Sequence, residues 1–167
     1  MLKAYKPEKG YIVSGDISWD NASIGSIRHK IAYIGEGTSL FSGTVLSNLV
    51  FGNSHISEIE IKDFISKNGL DDFIGAFPDG YKNFIEENGL NISAGQKQTL
   101  LIIRALLRSP EILILDEATN NLDPETERAI LNLTYAKMEK GIVIEICHRK
   151  NFSHEEEIVI MKNGSVY

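Results

Sequence analysis

The stretch "ILILDEATNNLDPETERAILNLTYAKMEKGIVIEI", residues 112–146, decides the fold. It opens with a continuous apolar run, Ile112–Leu115, which is typical of a strand covered on both faces of a parallel sheet. Asp123–Pro124 has the residue types of a helix N-cap and first helical position, and Gly141 is typical of a helix end. A second apolar run closes the stretch. Strand, helix and strand at this spacing predict a βαβ crossover, and therefore an α/β fold with a mainly parallel sheet.

Further elements are predicted on both sides of this crossover. Strands are expected over Gly10–Ile17 and Lys30–Ile34, because both runs are rich in β-branched and aromatic residues. A capping-box sequence at Ser57 predicts the start of one helix, and Ser93 starts another that ends before Pro110. An Asn-Gly pair near the end of the chain predicts a hairpin. The residues predicted to face inward from the helices are Ile59, Ile61, Phe64, Ile65, Leu100, Leu101, Ile103, Leu106, Leu107, Ala129, Ile130, Leu133 and Ala136.

Length and composition limit the class of protein. The 167 residues suffice for one domain, and the net charge of −6 argues against nucleic acid or an anionic membrane surface as the main partner. The single cysteine cannot form an internal disulfide, which is typical of a reducing compartment. No apolar run approaches the ~20 residues that cross a bilayer. We therefore expect a cytoplasmic chain with no direct membrane insertion, whose membrane role would come through a partner.

Two adjacent acids, Asp116 and Glu117, follow the first apolar run at its carboxyl end. Open α/β sheets bind their ligands at that edge. Asp116 could hold Mg²⁺ directly or through water, and Glu117 could orient or deprotonate an attacking water. Acids in this position also serve simply to begin a turn or a helix, so the pair alone leaves both interpretations open.

The sequence "NISAGQKQTL", Asn91–Leu100, puts small residues at the start of a predicted helix. The first N–H groups of a helix lack intrahelical partners and lie at the positive end of its dipole, so this end attracts anions. Ser93 would act there as a plain N-cap or as an anion ligand. Gly95 would act as a spacer or as the residue that lets an anion come close.

Several segments, in unbroken order, resemble the ATP-binding cassette (ABC) family. The stretch "NISAGQKQTLLIIRALLRSPEILILDEATNNLD", residues 91–123, looks like the family's signature loop, signature helix, Walker B strand and D-loop. Upstream, "IAYIGEGTSLFSGTVLSNLVFG", residues 31–52, resembles the Q-loop region, and "FPDGYKNFIEENG", residues 77–89, resembles the loop before the signature. Downstream, "IEICHRK", residues 144–150, resembles the switch-histidine segment. The Q-loop region and the loop around Glu87 are most similar to exporters whose cassettes are fused to membrane helices.

This resemblance implies ATP and Mg²⁺ as cofactors and a set of site residues. Signature loops of the family bind the γ-phosphate of a nucleotide held by the facing cassette. The implied partners are therefore a second cassette, in a head-to-tail homo- or heterodimer, and the transmembrane domain of an exporter at the inner face of the plasma membrane. The implied nucleotide-binding residues are Ser93, Ala94, Gly95, Gln96 and Asp123, the catalytic residues Glu117 and His148, and the metal ligands Asp116 and Glu36.

The chain departs from the family pattern in three places. It contains no G-x-x-x-x-G-K-[ST] phosphate loop, so we expect a cassette cut after that loop, which alone binds ATP weakly and hydrolyses it negligibly. Glu36 stands where the family's Q-loop has glutamine. Ala94 stands where the first signature glycine is usual, and its methyl group matters only if the backbone needs a positive φ there. Both substitutions suggest altered activity.

The implied domain is a partial ABC ATPase over residues 1–167, with a P-loop NTPase-like fold truncated on its N-terminal side. Residues 37–110 are expected to form a helical subdomain with the signature loop, and residues 1–36 and 111–167 the catalytic core. Two functions stay open. The chain is either the C-terminal part of an exporter domain that hydrolyses ATP, or a non-hydrolysing fragment or split-chain module that offers its signature face to a partner's ATP. Its acidity disfavours a cassette ATPase that acts on DNA or ribosomes.

Overall fold

The computed structural model describes residues 7–14, 17–18, 20–21, 23–53, 56–147, 159, 161–162 and 165–166. In chain order, the strands are β1 (Val13–Ser14), β2 (Ile17–Ser18), β3 (Ile31–Ile34), β4 (Gly43–Thr44), β5 (Phe84–Ile85), β6 (Ile112–Asp116), β7 (Ile142–Ile146), β8 (Met161–Lys162) and β9 (Ser165–Val166). The helices are α1 (Ile24–Lys30), α2 (Val45–Val50), α3 (Glu58–Lys67), α4 (Asp71–Gly75), α5 (Ala94–Leu107) and α6 (Pro124–Lys137), with 3₁₀ turns at Gly80–Lys82 and Glu87–Gly89.

A three-stranded parallel sheet forms the centre of the fold. Its strand order is β3, β6, β7, with Ile31 level with Ile112 and Ile112 level with Ile142. The middle strand β6 is covered on both faces, since Leu113 and Ile114, which point to opposite faces, are 0% and 7% exposed. This sheet confirms the predicted α/β fold, and β6, α6 and β7 form the βαβ unit that the sequence predicts.

Helix α5 lies in the middle of the hydrophobic core. It starts after its N-cap Ser93 and ends at Leu107, ahead of Pro110, as predicted. The helix contacts β3, α2 and α6, so it is covered on several sides. A helix surrounded in this way is apolar around most of its circumference. Its buried residues are Thr99, Leu100, Leu101, Ile102, Ile103, Ala105, Leu106 and Leu107.

The face that α6 buries differs from the predicted one. Ala129 and Ala136, both expected to face inward, are exposed. The buried residues are instead Ile130, Thr134 and Met138, which follow one another at intervals of four and so share one side of the chain's path. Thr134 fits this apolar side because its hydroxyl donates to the Ile130 carbonyl at 2.8 Å.

Two other details of the predictions were wrong. Gly10–Ile17 does not form one strand, because Val13–Ser14 and Ile17–Ser18 form two short strands, β1 and β2, that pair antiparallel with each other. Ile59 is 73% exposed, although Ile61 and Ile65 on the same helix are fully buried. A separation of two residues turns Ile59 to the opposite side of α3.

The remaining elements agree with the sequence pattern. Helix α3 begins with the capping box predicted at Ser57, in which Ser57 and Glu60 bond each other's backbone N–H groups. Strands β8 and β9 pair antiparallel, as expected for the C-terminal hairpin, while Asn163–Gly164 between them lies outside the described residues. Across the part of the chain that the structure describes, no helix is both long enough and apolar enough to cross a bilayer.

Candidate functional site

The two acids after β6 lie at the carboxyl end of the central sheet. Asp116 is the last residue of the strand, is half-buried and pairs with Ile146 of β7. Glu117 is exposed, and its backbone N–H donates to the Ile146 carbonyl at 2.9 Å, which extends the ladder by one bond. Glu117 then turns the chain out of the sheet with φ of 53°, a left-handed conformation that is costly for a residue with a side chain.

The carboxylate of Glu117 is held from within its own loop. Asn120 donates its side-chain Nδ2–H to Oε2 of Glu117 at 2.9 Å. This bond limits the rotation of an exposed carboxylate at the end of a buried strand. The arrangement suits a group that must keep a fixed direction while it remains open to water.

Asp116 is held from the neighbouring strand. The Tyr33 hydroxyl, on β3, donates to Oδ2 of Asp116 at 3.0 Å. The pKa of Tyr33 is raised first by burial, then by this bond and by the negative charges of Asp116 and Glu36, while a backbone hydrogen bond from Glu36 lowers it. Glu36 itself is exposed in the turn after β3. The structure therefore brings Asp116, one of the two predicted metal ligands, to the Tyr33 phenol.

The donor chemistry of this edge fits Mg²⁺ bound mainly by a nucleotide. Among the described residues, no three His, Cys, Asp or Glu side chains are grouped so that they could hold a metal ion. Mg²⁺ in nucleotide sites takes one or two carboxylates and completes its shell with water and phosphate oxygens. Asp116 and Glu36 are the residues that would supply those carboxylates.

The amino end of α5 forms a capping box. Ser93 Oγ accepts from the Gln96 N–H at 3.1 Å, and Gln96 Oε1 accepts from the Ser93 N–H at 3.0 Å. The role of Ser93 as an N-cap is therefore confirmed. The N–H groups of Ala94 and Gly95 have no hydrogen bond to the described residues, and Ala94 does not have a positive φ, so its methyl group causes no backbone strain.

The loop between β6 and α6 packs against this end of α5. A Cβ atom on Gly95 would lie 3.2 Å from the Asn121 carbonyl oxygen, which is tighter than ordinary contact. The side chain of Gln98 also accepts from the Asn121 N–H at 3.0 Å. The loop that starts at Glu117 is thus anchored to the first two turns of α5.

Asp123 ends this loop as the N-cap of α6. Its Oδ1 accepts from the N–H groups of Glu125 and Thr126 at 3.1 and 3.0 Å. Those bonds, chiefly the one from Thr126, lower the pKa of Asp123. The capping role is confirmed. The predicted catalytic residue His148 lies outside the described residues.

Sequence reasoning missed three residues that shape this site: Tyr33, Gln98 and Asn120. Tyr33 carries a hydroxyl in an otherwise apolar strand, next to the carboxyl end of β6, and that was a usable signal. Asn120, three residues after Glu117, had the spacing of a local side-chain contact. Gln98 gave no signal, because its partner is a backbone group on a loop 23 residues away.

Comparison with known proteins agrees with this geometry. A family model described as ABC transporter matches residues 1–120. A Rickettsia bellii protein named as an export ATP-binding/permease protein is 41% identical over 169 residues, which cover 99% of this chain and 29% of that protein. The ATP-dependent lipid A-core flippase of Saccharophagus degradans is 33% identical over 167 residues, 99% of this chain and 28% of the flippase.

The fold has a close counterpart among solved structures. The structure of a bacterial Atm1-family ABC exporter with ATP bound superposes with a TM-score of 0.80 at 32% sequence identity, over 89% of this chain and 26% of that chain. The α/β fold is therefore that of an ABC exporter's nucleotide-binding domain. The match covers only a minor part of each relative's length. Fold and sequence agree that the chain belongs to the ABC transporter family.

Proposed function

We propose that these residues are the C-terminal part of the nucleotide-binding domain of an ABC exporter, which hydrolyses ATP in a head-to-tail dimer of cassettes and so drives attached membrane helices. The observation that carries the proposal is the path of one loop. It begins with the acids Asp116 and Glu117 at the edge of the sheet and is bonded, through Asn121, to the amino end of α5. A movement of the two acids could therefore be transmitted over a short distance to the amino end of α5, where the proposed signature loop lies.

Glu117 is the proposed general base. Its carboxylate is exposed, fixed in direction by Asn120 and placed beside Asp116, so it can orient a water molecule and accept its proton. Asp116 and Glu36 are the proposed ligands of the Mg²⁺ that accompanies ATP, which would neutralise phosphate charge. The role of His148 at the γ-phosphate rests on the family resemblance alone.

Ser93, Ala94, Gly95 and Gln96 are the proposed ligands of the γ-phosphate held by the facing cassette. The capping box leaves this role possible. Ser93 uses a lone pair to accept from Gln96, and its own hydroxyl proton remains a donor. The N–H groups of Ala94 and Gly95, which no bond to the described residues engages, add backbone donors at the positive end of the helix dipole.

The division of roles along the chain follows the same proposal. Residues 37–110 form the helical subdomain, and residues 1–36 and 111–167 the catalytic core. One buried cluster extends through both subdomains, from Ala32 and Leu113 in the sheet to Ile61 in α3. The two subdomains therefore share one hydrophobic core, although different roles are proposed for them. Asp123 is proposed to contact the second cassette in addition to capping α6. The net charge of −6 supports protein partners over nucleic acid, with the complex at the inner face of the plasma membrane.

The test is Glu117→Gln in the full-length gene product, with Glu139→Gln as a matched control on an exposed residue beyond α6. The Glu117 variant should still bind ATP and should hydrolyse it about 100-fold more slowly, as expected for loss of a general base. The control should hydrolyse ATP at the wild-type rate. Equal hydrolysis by both variants would contradict the proposal. A wild-type protein that associates with a second cassette when ATP is added, but does not hydrolyse the ATP, would instead support the non-hydrolysing fragment or split-chain module.

A further inference from the structure

The hydroxyl of Tyr33 contacts Asp116, one of the two proposed metal ligands. It donates to Asp116 Oδ2 at 3.0 Å across 83 residues of sequence. Tyr33 lies on β3 and Asp116 on its parallel neighbour β6. The phenol therefore ties β3 to the end of the central strand β6.

Gly35 provides the space for this link. A Cβ atom at residue 35 would lie 2.7 Å from both Asp116 Cβ and Tyr33 Cζ, closer than side-chain carbons pack. The register explains the crowding, since Ile34 is level with Leu115 and Gly35 therefore comes beside Asp116. A side chain at residue 35 would separate the phenol from the carboxylate.

The hydrogen bond from Tyr33 fixes one carboxylate oxygen of Asp116 and leaves the other oxygen available to a ligand. An ionised carboxylate only accepts hydrogen bonds and can rotate about its last bond. Within the described residues, Oδ2 has the Tyr33 hydroxyl as its partner, whereas Oδ1 has no hydrogen bond. A group that hydrogen-bonds a metal ligand in this way sets the ligand's orientation, and its loss typically weakens metal binding.

We propose that Tyr33 is a positioning residue of the metal–nucleotide site: its hydroxyl holds the Asp116 carboxylate so that Oδ1 is the oxygen available to a divalent cation, and Gly35 is required for that contact. The inference rests on the proposed function, because it names a residue that acts through the same site. Tyr33 hydrogen-bonds Asp116 and is not itself assigned to the nucleotide or to the attacking water.

The test measures Mn²⁺ binding by electron paramagnetic resonance, in the full-length gene product with a non-hydrolysable ATP analogue. Tyr33→Phe removes only the hydroxyl and should weaken Mn²⁺ binding about 10-fold. The Mg²⁺ concentration for half-maximal ATP hydrolysis should rise by a similar factor, with a smaller change in kcat at saturating Mg²⁺. Tyr135→Phe is the matched control, because it removes an equivalent bond from a tyrosine hydroxyl to a carboxylate, Tyr135 to Glu145 at 2.9 Å, away from the site.

Gly35→Ala gives an independent test. Its methyl group should displace the phenol and weaken Mn²⁺ binding as Tyr33→Phe does, and the double variant should lose little more than either single variant, because both changes break one contact. If the losses of Mn²⁺ affinity in the two single variants add up in the double variant, Gly35 and Tyr33 do not act through the same contact. Wild-type Mn²⁺ affinity in Tyr33→Phe would overturn the inference while leaving the proposed function intact. A wild type that binds neither Mn²⁺ nor the analogue would overturn both.

Discussion

Gln98 Oε1 accepts a hydrogen bond from the backbone N–H of Asn121 at 3.0 Å. Gln98 lies early in α5, and Asn121 lies in the loop that leaves the central strand at Glu117. Gly95, one turn earlier, lets the same loop come close, since a side chain there would press on the Asn121 carbonyl. The proposed anion-binding end and the proposed catalytic loop are thus joined by direct contacts.

We expect Gln98→Ala to lower the free energy of unfolding by about 1 kcal/mol, because an intramolecular hydrogen bond is lost at a site where water can replace it. Gln98→Glu should lose less, since a carboxylate oxygen can accept the same bond. Urea denaturation measures both. ATP hydrolysis by the full-length gene product should follow the same order, and equal effects of the two substitutions would show that the bond does not matter.

Ser93→Ala and Ser57→Ala separate the capping role from the proposed phosphate role. Both serines are N-caps within capping boxes, on α5 and α3, so each change should cost about 1 kcal/mol of unfolding free energy. Only Ser93→Ala should also slow ATP hydrolysis or weaken ATP-dependent association of cassettes. If the two variants lose stability equally and keep full activity, Ser93 is a cap and nothing more.

Glu117 combines a strained backbone with the side chain proposed as general base. Its φ of 53° costs a residue with a Cβ roughly 1–2 kcal/mol, a cost that glycine escapes. Glu117→Gly should therefore be more stable than Glu117→Ala by about 1 kcal/mol, while both should lack ATP hydrolysis. Urea denaturation of the two variants gives the comparison. An alanine variant as stable as the glycine variant would mean that the turn relaxes when the side chain is removed.

The central elements of the fold could be predicted because local signals and tertiary packing agree there. The apolar run Ile112–Leu115, the cap Asp123 and the helix stop before Pro110 each have one dominant physical cause. The burial of α6 could not be predicted equally well. Alanine is compatible with either side of a helix, and Thr134 becomes an acceptable core residue only because its hydroxyl reaches the Ile130 carbonyl.

The site divides in the same way. The positions of Asp116, Glu117 and Ser93 could be predicted, because the two acids come at the end of a strand and Ser93 comes directly before a helix. The link from Tyr33 to Asp116 depends on which strands are neighbours and in what register, and sequence periodicity does not give that information. The role of Gly35 depends on the same register, because the crowding comes from a side chain that is distant in sequence.

Asn48 is a buried polar residue whose side chain holds the backbone of the segment from Phe41 to Thr44. Its side chain accepts from the Phe41 N–H at 3.1 Å and donates to the carbonyls of Phe41 and Thr44 at 2.9 and 3.2 Å, while only 1% exposed. Asn48→Ala should cost about 2 kcal/mol of unfolding free energy, because these backbone groups are left unpaired.

The control for Asn48 is Asn91→Ala. Asn91 makes similar bonds, to the Glu86 N–H and the Phe84 carbonyl, but is exposed, so water can replace its side chain. In the same urea denaturation, Asn91→Ala should lower the free energy of unfolding clearly less than Asn48→Ala does. Equal losses of unfolding free energy in the two variants would show that burial does not determine how much Asn48 contributes to stability.

The N-cap of α6 should make stability depend on pH in the acid range. Hydrogen bonds to Thr126 and Glu125 lower the pKa of Asp123 below its ordinary value of 3.8. A carboxyl group whose pKa is lowered in the folded state contributes stability above its unfolded-state pKa, and this contribution is lost as pH falls through its folded-state pKa.

Asp123→Asn keeps an acceptor oxygen at the cap but does not titrate. The difference in unfolding free energy between wild type and Asp123→Asn should therefore be constant near neutral pH and shrink below pH 3.8. Urea denaturation at a series of pH values measures it, and parallel curves for the two proteins would contradict the assignment.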